Sequence, residues 1–325
     1  MNTFRYYTQL SGGSFNQFLI IGVMFISLST GIVITNHPNL FLPILTINLW
    51  LLGYHHVIST YTKLAGTSKE RKDHKFLIVY LPIFVFIITA VFTFTIGSWL
   101  VMSVYFVWQW YHYTKQSHGI ALFLNGARPL NTFNIQLHKV ILWLFPVAGL
   151  LYRCSQSWHK FLYTDFWLPV VPVSIAIVAA IMAILVFIYW LYKAIGADIK
   201  NMLHPYSLFM LSHQLVFFIS YISISDLNIG WITINIWHNF QYILFVWNFN
   251  RKRFQTTPTK SMLSQYCQAG RLNMVYYFAT CLGGTIIFYK LLLSSAYFIG
   301  QQTASQLTWA LIIFQSINFH HYIVD

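Results

Sequence analysis

Apolar runs long enough to cross a bilayer recur along the chain at 16–36, 40–62, 76–95, 97–116, 136–152, 167–193, 205–225, 230–249, 273–296 and 305–325, divided by short polar connections. A crossing takes roughly 20 residues, so each run predicts a transmembrane helix and together they predict about ten. The third and fourth are divided only by "IGSW", and the eighth is interrupted by Asn235, His238, Asn239 and Gln241. No internal repeat, low-complexity tract or long linker is evident. The expected architecture is all-α: a polytopic integral membrane helical bundle forming a single transmembrane domain over residues 1–325.

Composition agrees. The chain is 57% hydrophobic and 8% charged, against about a quarter charged in water-soluble globules. Three cysteines, Cys154, Cys267 and Cys281, are too few and too scattered for a disulfide framework or a thiolate site and are expected to be packing residues. The opening segment "MNTFRYYTQLSGGSFNQ" is polar and precedes a full-length span, so the N-terminus is expected to be retained.

A net charge of +13 would suggest nucleic acid in a soluble protein, but here the basic residues follow topology. With the N-terminus on the cytoplasmic side, the inner segments hold Arg5, Lys63, Lys69, Arg71, Lys72, Lys75, Lys115, Arg128, Lys139, Lys193, Lys200, Arg251, Lys252, Arg253, Lys260 and Arg271. These are sixteen of the nineteen Lys and Arg; Arg153 and Lys160 fall outside and Lys290 within the ninth span. The bias predicts that both termini are cytoplasmic, and a bacterial inner membrane is the expected setting. "KERKDHK" and "NRKRF" then read as topology determinants near anionic headgroups, not as nucleic-acid sites.

The thirteen histidines carry the chemistry. His37 and His159 fall in outer loops, His74 in the basic inner loop and His138 at a helix entrance, and these four are expected to be ordinary surface or interfacial residues. His204, in "HPYSLF", reads as a helix start. By contrast His55, His56, His112, His213, His238, His320 and His321, with His118 just beyond, map to the cytoplasmic half of five helices, in a layer about 10–20 Å thick at 1.5 Å rise per residue. Buried imidazoles need partners, and Glu70, Asp73, Asp165, Asp198 and Asp226 all fall in loops or at membrane edges, leaving Asp325 as the one acid near them. A metal ion satisfies neutral imidazole directly. His321 and Asp325 are four residues apart and share a helix face, so the aspartate either ligates beside the histidine or orients its ring. Gln109 and Gln116 flank His112, and Gln241 and Tyr242 flank His238, as candidate outer partners. Adjacent histidines point about 100° apart, so the two members of each pair cannot aim alike. Tyr242 and Tyr322 adjoin the ligand candidates and are candidate proton or electron relays.

The "HH" of helix 2, the W-x-H-x-x-x-Q-x-x-G pattern from Trp110 to Gly119 and the HHY-x-x-D pattern from His320 to Asp325 resemble motifs of uncharacterised bacterial multi-pass membrane proteins. More loosely, an inner-face cluster of histidines is similar to the integral-membrane non-haem iron desaturases, hydroxylases and alkane oxygenases, although no H-x-x-x-H or H-x-x-H-H box is present. That resemblance implies one or two non-haem irons, O₂ activation and a membrane lipid or lipid-like substrate. Copper is the alternative metal. A separate electron donor is expected, because the chain has no Gly-rich dinucleotide fingerprint and no cysteine cluster. Two other readings stay open: a haem b electron carrier using His112 with His213 or His238, and a metal-ion or proton transporter. Hydrolase, ATPase and zincin motifs are missing.

Overall fold

The computed structural model describes residues 13–127, 134–195, 199–268, 270–303 and 306–325. Arg5, Arg128 and Asp198, which entered the charge reading, lie outside the described residues, as does most of the opening segment. The fold is all-α apart from a hairpin pairing Lys160–Phe161 with Thr164–Asp165. Its turn places Leu162 and Tyr163 at φ of 48° and 65°, a strained choice for residues with a Cβ. Beside this turn the buried Phe161 ring packs edge-on against Phe106 at 5.2 Å.

We number the long helices α1 (Phe15–Asn36), α2 (Pro38–Leu64), α3 (Phe76–Thr95), α4 (Ser98–Ala127), α5 (Ile135–Cys154), α6 (Val173–Ile195), α7 (Pro205–Ser223), α8 (Leu227–Thr256), α9 (Arg271–Thr303) and α10 (Gln306–Val324). Among the described residues seven of them, α1, α2, α3, α5, α6, α7 and α9, are long and apolar enough to cross a membrane, which is the make-up of a membrane protein. α4, α8 and α10 fall short in apolarity. The reason is visible in their burial. α6 exposes Ile177, Ile181, Leu185 and Ile188, a face suited to lipid, whereas in α8 every residue from 230 to 239 is buried, Asn235, His238 and Asn239 among them. A helix enclosed by protein can carry polar groups provided each finds a partner.

The chain divides into two compact units. The first holds 1–45, 110–159 and 168–241; the second holds 46–109, 160–167 and 242–325. Three of the five boundaries fall inside α2, α4 and α8, and the other two flank the hairpin segment 160–167.

In the first unit, Pro146 sits inside α5. Proline has no N–H, so the carbonyl of Leu142, four residues earlier, loses its helical partner. His213 of α7 supplies one, with Nε2 2.9 Å from that oxygen. Next to it, the Gln214 amide bridges the same turn, donating to the Ile141 carbonyl at 2.6 Å and accepting from the Phe145 N–H at 3.4 Å. Trp110 closes the set by donating to the Pro146 carbonyl at 2.8 Å. At the end of α7, the buried Arg153 guanidinium donates to the carbonyls of Ser220 and Ser225 at 3.1 and 2.9 Å, stabilising a helix C-terminus as a cation should.

Four turns among the described residues widen to π geometry: Phe18–Gly22, Leu49–Gly53, Phe76–Tyr80 and Ile219–Ser223. Such a turn disturbs the hydrogen-bond ladder and leaves carbonyl capacity for a side chain. Each is used in that way. Leu19 accepts from Gln241 at 3.3 Å, Leu77 from His320 at 2.7 Å and Ser220 from Arg153, while Leu51 bonds to His55.

In the second unit, the short helix Ser68–Asp73 starts with a capping box between Thr67 and Glu70. Arg253 of α8 ties this helix down through a 2.7 Å ion pair to Glu70. The three cysteines are buried free thiols.

Candidate functional site

The second unit holds a continuous polar chain built from three helices. On α2, His56, Thr60 and Lys63 follow at spacings of four and three and so share a face. On α10, His321 and Asp325 share a face for the same reason, and α8 contributes Tyr242. His56 Nε2 lies 2.6 Å from His321 Nε2, with the rings edge to face at 79°. His321 Nδ1 is 3.0 Å from the Thr60 hydroxyl, which is 3.0 Å from the Tyr242 hydroxyl. Tyr242 donates to Asp325 Oδ1. Lys63 Nζ donates to that same oxygen at 2.5 Å and to the Tyr242 oxygen at 3.3 Å. Both histidines are 2% exposed, so whatever the two facing nitrogens bind is shielded from water. The Asp325 carboxylate has a ring nitrogen of His321 within 4.8 Å. Thr60 holds that ring at Nδ1.

A second group lies in the first unit. His112 of α4 and His238 of α8 are both buried, their ring centroids 5.0 Å apart at 73°, and a nitrogen of each lies within 4.8 Å of the other. Tyr113 packs on His238 with centroids 4.0 Å apart, and Asn235 donates to the Tyr113 hydroxyl at 2.6 Å while accepting from Asn239 at 2.8 Å. Both groups are imidazole-rich, a donor chemistry suited to iron, copper or zinc and not to magnesium or calcium.

The remaining expected ligands have other employment. His320 uses both nitrogens, donating from Nε2 to Leu77 and accepting at Nδ1 from the Tyr61 hydroxyl at 3.0 Å. His213 serves the carbonyl orphaned by Pro146. His55 bonds to the Leu51 carbonyl and abuts the Phe278 ring at 5.7 Å. His118 pairs with His138 at 2.9 Å, and His138 in turn meets the Tyr206 hydroxyl at 3.0 Å.

His138 is therefore not the ordinary interfacial residue expected at a helix entrance; it is 1% exposed, because this hydrogen-bonded row draws it in. His204 caps α7, its Nδ1 accepting from Tyr206 N at 3.2 Å ahead of Pro205.

Among the outer partners, Gln116 donates to the backbone carbonyl of His238 at 3.3 Å, Gln241 to that of Leu19, and Gln109 bonds to Tyr105. Tyr322 stacks on Tyr105 with centroids 6.3 Å apart and meets the Trp108 ring at 6.2 Å. Sequence reasoning passed over Thr60 and read Lys63 only as a topology charge, although both stand at helical spacing from His56.

The first unit also contains an apolar pocket of about 500 Å³, lined by residues of α1, α5, α6 and α7 that include Met24, Phe145, Ile184, Phe187, Leu211 and Phe218. No family model matches the chain, and no curated protein and no solved structure matches it either. Function is therefore read from the side chains themselves.

Proposed function

We propose that this chain is a membrane-embedded, histidine-ligated metalloenzyme, a non-haem iron oxidoreductase of oxygenase, hydroxylase or desaturase type acting on a lipid-like substrate near the cytoplasmic face. The observation that carries the reading is the approach of His56 Nε2 to His321 Nε2 at 2.6 Å, with both residues buried. Two imidazole lone pairs repel unless a proton or a cation stands between them, and bonds of about 2.0–2.1 Å from each nitrogen to a first-row metal need only a small opening of that gap. His112 and His238 are a second imidazole pair, and hence the proposal of one or two ions. Direct ring contact within each pair favours a small ion over a macrocycle. Copper is the alternative metal.

When bound, the metal supplies the redox chemistry toward O₂, with electrons from a separate donor. The chain's own residues do the rest. His56 and His321 bind, Thr60 orients the His321 ring, and Tyr242 holds its hydroxyl proton against Asp325. The 500 Å³ pocket, apolar and set among helices of membrane-crossing length, offers a hydrocarbon chain a place in the first unit. The reading includes about ten crossings, with α4, α8 and α10 joining the seven apolar helices, and both termini on the cytoplasmic side of a bacterial inner membrane.

Elemental analysis of the detergent-purified chain tests this. Iron or copper should be retained in stoichiometric amount and lost in His56→Ala and His321→Ala. A Soret band in the visible spectrum would instead establish haem, in keeping with the haem b alternative. Retention of no metal at all would turn the assignment to the transporter or a structural role.

A further inference from the structure

Hydrogen-bond bookkeeping along the second unit's polar chain fixes something that distances alone do not, namely which nitrogen of His321 carries the proton. The chain begins at a carboxylate, which only accepts. Tyr242 has one hydroxyl hydrogen and gives it to Asp325 Oδ1. The Tyr242 oxygen can then only accept, so in the 3.0 Å contact with Thr60 the threonine is the donor. Thr60 has now used its one hydrogen, since the His56 carbonyl, the other acceptor in its reach, lies farther off at 3.5 Å. In its 3.0 Å contact with His321 the ring must therefore donate, and the proton sits on Nδ1. Nε2 is left with its lone pair directed at His56. Lys63 reinforces the order from the other end, because its ammonium can only donate, to the same Asp325 oxygen and to Tyr242.

We infer that Asp325 is a positioning residue: acting through Tyr242 and Thr60, it sets the tautomer and orientation of His321 so that Nε2 is the nitrogen offered to an ion. Of the two roles that four-residue spacing allowed for Asp325, this selects orientation, relayed through two hydroxyls, over ligation. The inference builds on the metal-site reading but does not need a metal for its first test. Outer-sphere partners that fix a histidine tautomer are commonly worth about 10–100-fold in metal affinity.

The experiment uses the full chain in detergent, treated with chelator and labelled with ¹⁵N-histidine, with the His321 signal assigned by its loss in His321→Gln. The ring nitrogen shifts should show Nδ1 protonated and Nε2 bare. Thr60→Val and Asp325→Leu should remove that preference and weaken Co²⁺ binding, read from its visible ligand-field bands, by about ten-fold or more. Thr60→Ser, which keeps the hydroxyl, should restore both, and this rescue separates positioning from a general loss of packing. A proton on Nε2 in the parent chain, or an unchanged tautomer in either Thr60→Val or Asp325→Leu, overturns the inference. The expected tautomer together with no Co²⁺ binding would sink the metal reading while leaving the positioning role intact.

Discussion

Which histidines serve chemistry and which serve the fold is decided at single side chains. His213 and His320 each occupy a backbone carbonyl left over by a helix irregularity, Pro146 in one case and the turn Phe76–Tyr80 in the other. Removing such a donor strands a buried acceptor at a cost of about 1–3 kcal/mol. His213→Ala should therefore lower unfolding stability by that order yet leave bound metal unchanged, whereas His321→Ala should lose metal; denaturant titration beside metal content separates the two.

Cys267 gives a pH test outside the spans. Burial pushes its thiol up to about 12 from 9.0. The folded chain keeps this thiol protonated where the unfolded chain ionises, so its contribution is intact below pH 9 and is lost as pH rises toward 12. Maleimide at pH 8 should leave Cys267 unmodified until the chain is denatured. The residue-level pattern was partly legible beforehand. The concentration of imidazoles, and His321 with Asp325 on one face, follow from spacing. That Thr60 meets the His321 ring does not, because it depends on how α2 and α10 are rotated about their own axes.

Helices bring a different rule. A π turn inserts one residue into the ladder, so every side chain beyond it swings by about 100° relative to a regular wheel. The turn Leu49–Gly53 stands just before His55 and His56, so a regular wheel drawn from the start of α2 does not carry its register through to this pair. The helices themselves were placed well by apolar run length. What run length could not separate was a helix facing lipid from one enclosed by protein, and α8 shows why: burial by protein lets it keep Asn235, His238 and Asn239. A lysine at Ile181, on the exposed face of α6, should oppose insertion by about 2.5–3.5 kcal/mol, measurable as reduced recovery in the membrane fraction. Gly230 is constrained more tightly. A Cβ there would lie 2.1 Å from the Ser220 carbonyl oxygen that Arg153 holds, so Gly230→Ala should sharply reduce the yield of folded protein in size-exclusion chromatography.

For the molecule as a whole, the apolar helices point to a membrane protein, and the orientation proposed above puts its basic loops on one side. Reporter fusions after residue 75 and after residue 325 should be active on the same side of the membrane, with a fusion in the hairpin near Lys160 active on the other. An opposite result for either pair would remove the assigned orientation without touching the site.

The site's chemistry is tested most directly by X-ray absorption at the metal edge on the purified chain. The account predicts a first shell of nitrogen at about 2.0–2.1 Å with the outer-shell scattering of imidazole rings, and loss of the metal edge itself in the His56→Ala/His321→Ala double variant. A shell without imidazole scattering, or a metal edge that the double variant retains in full, would contradict it.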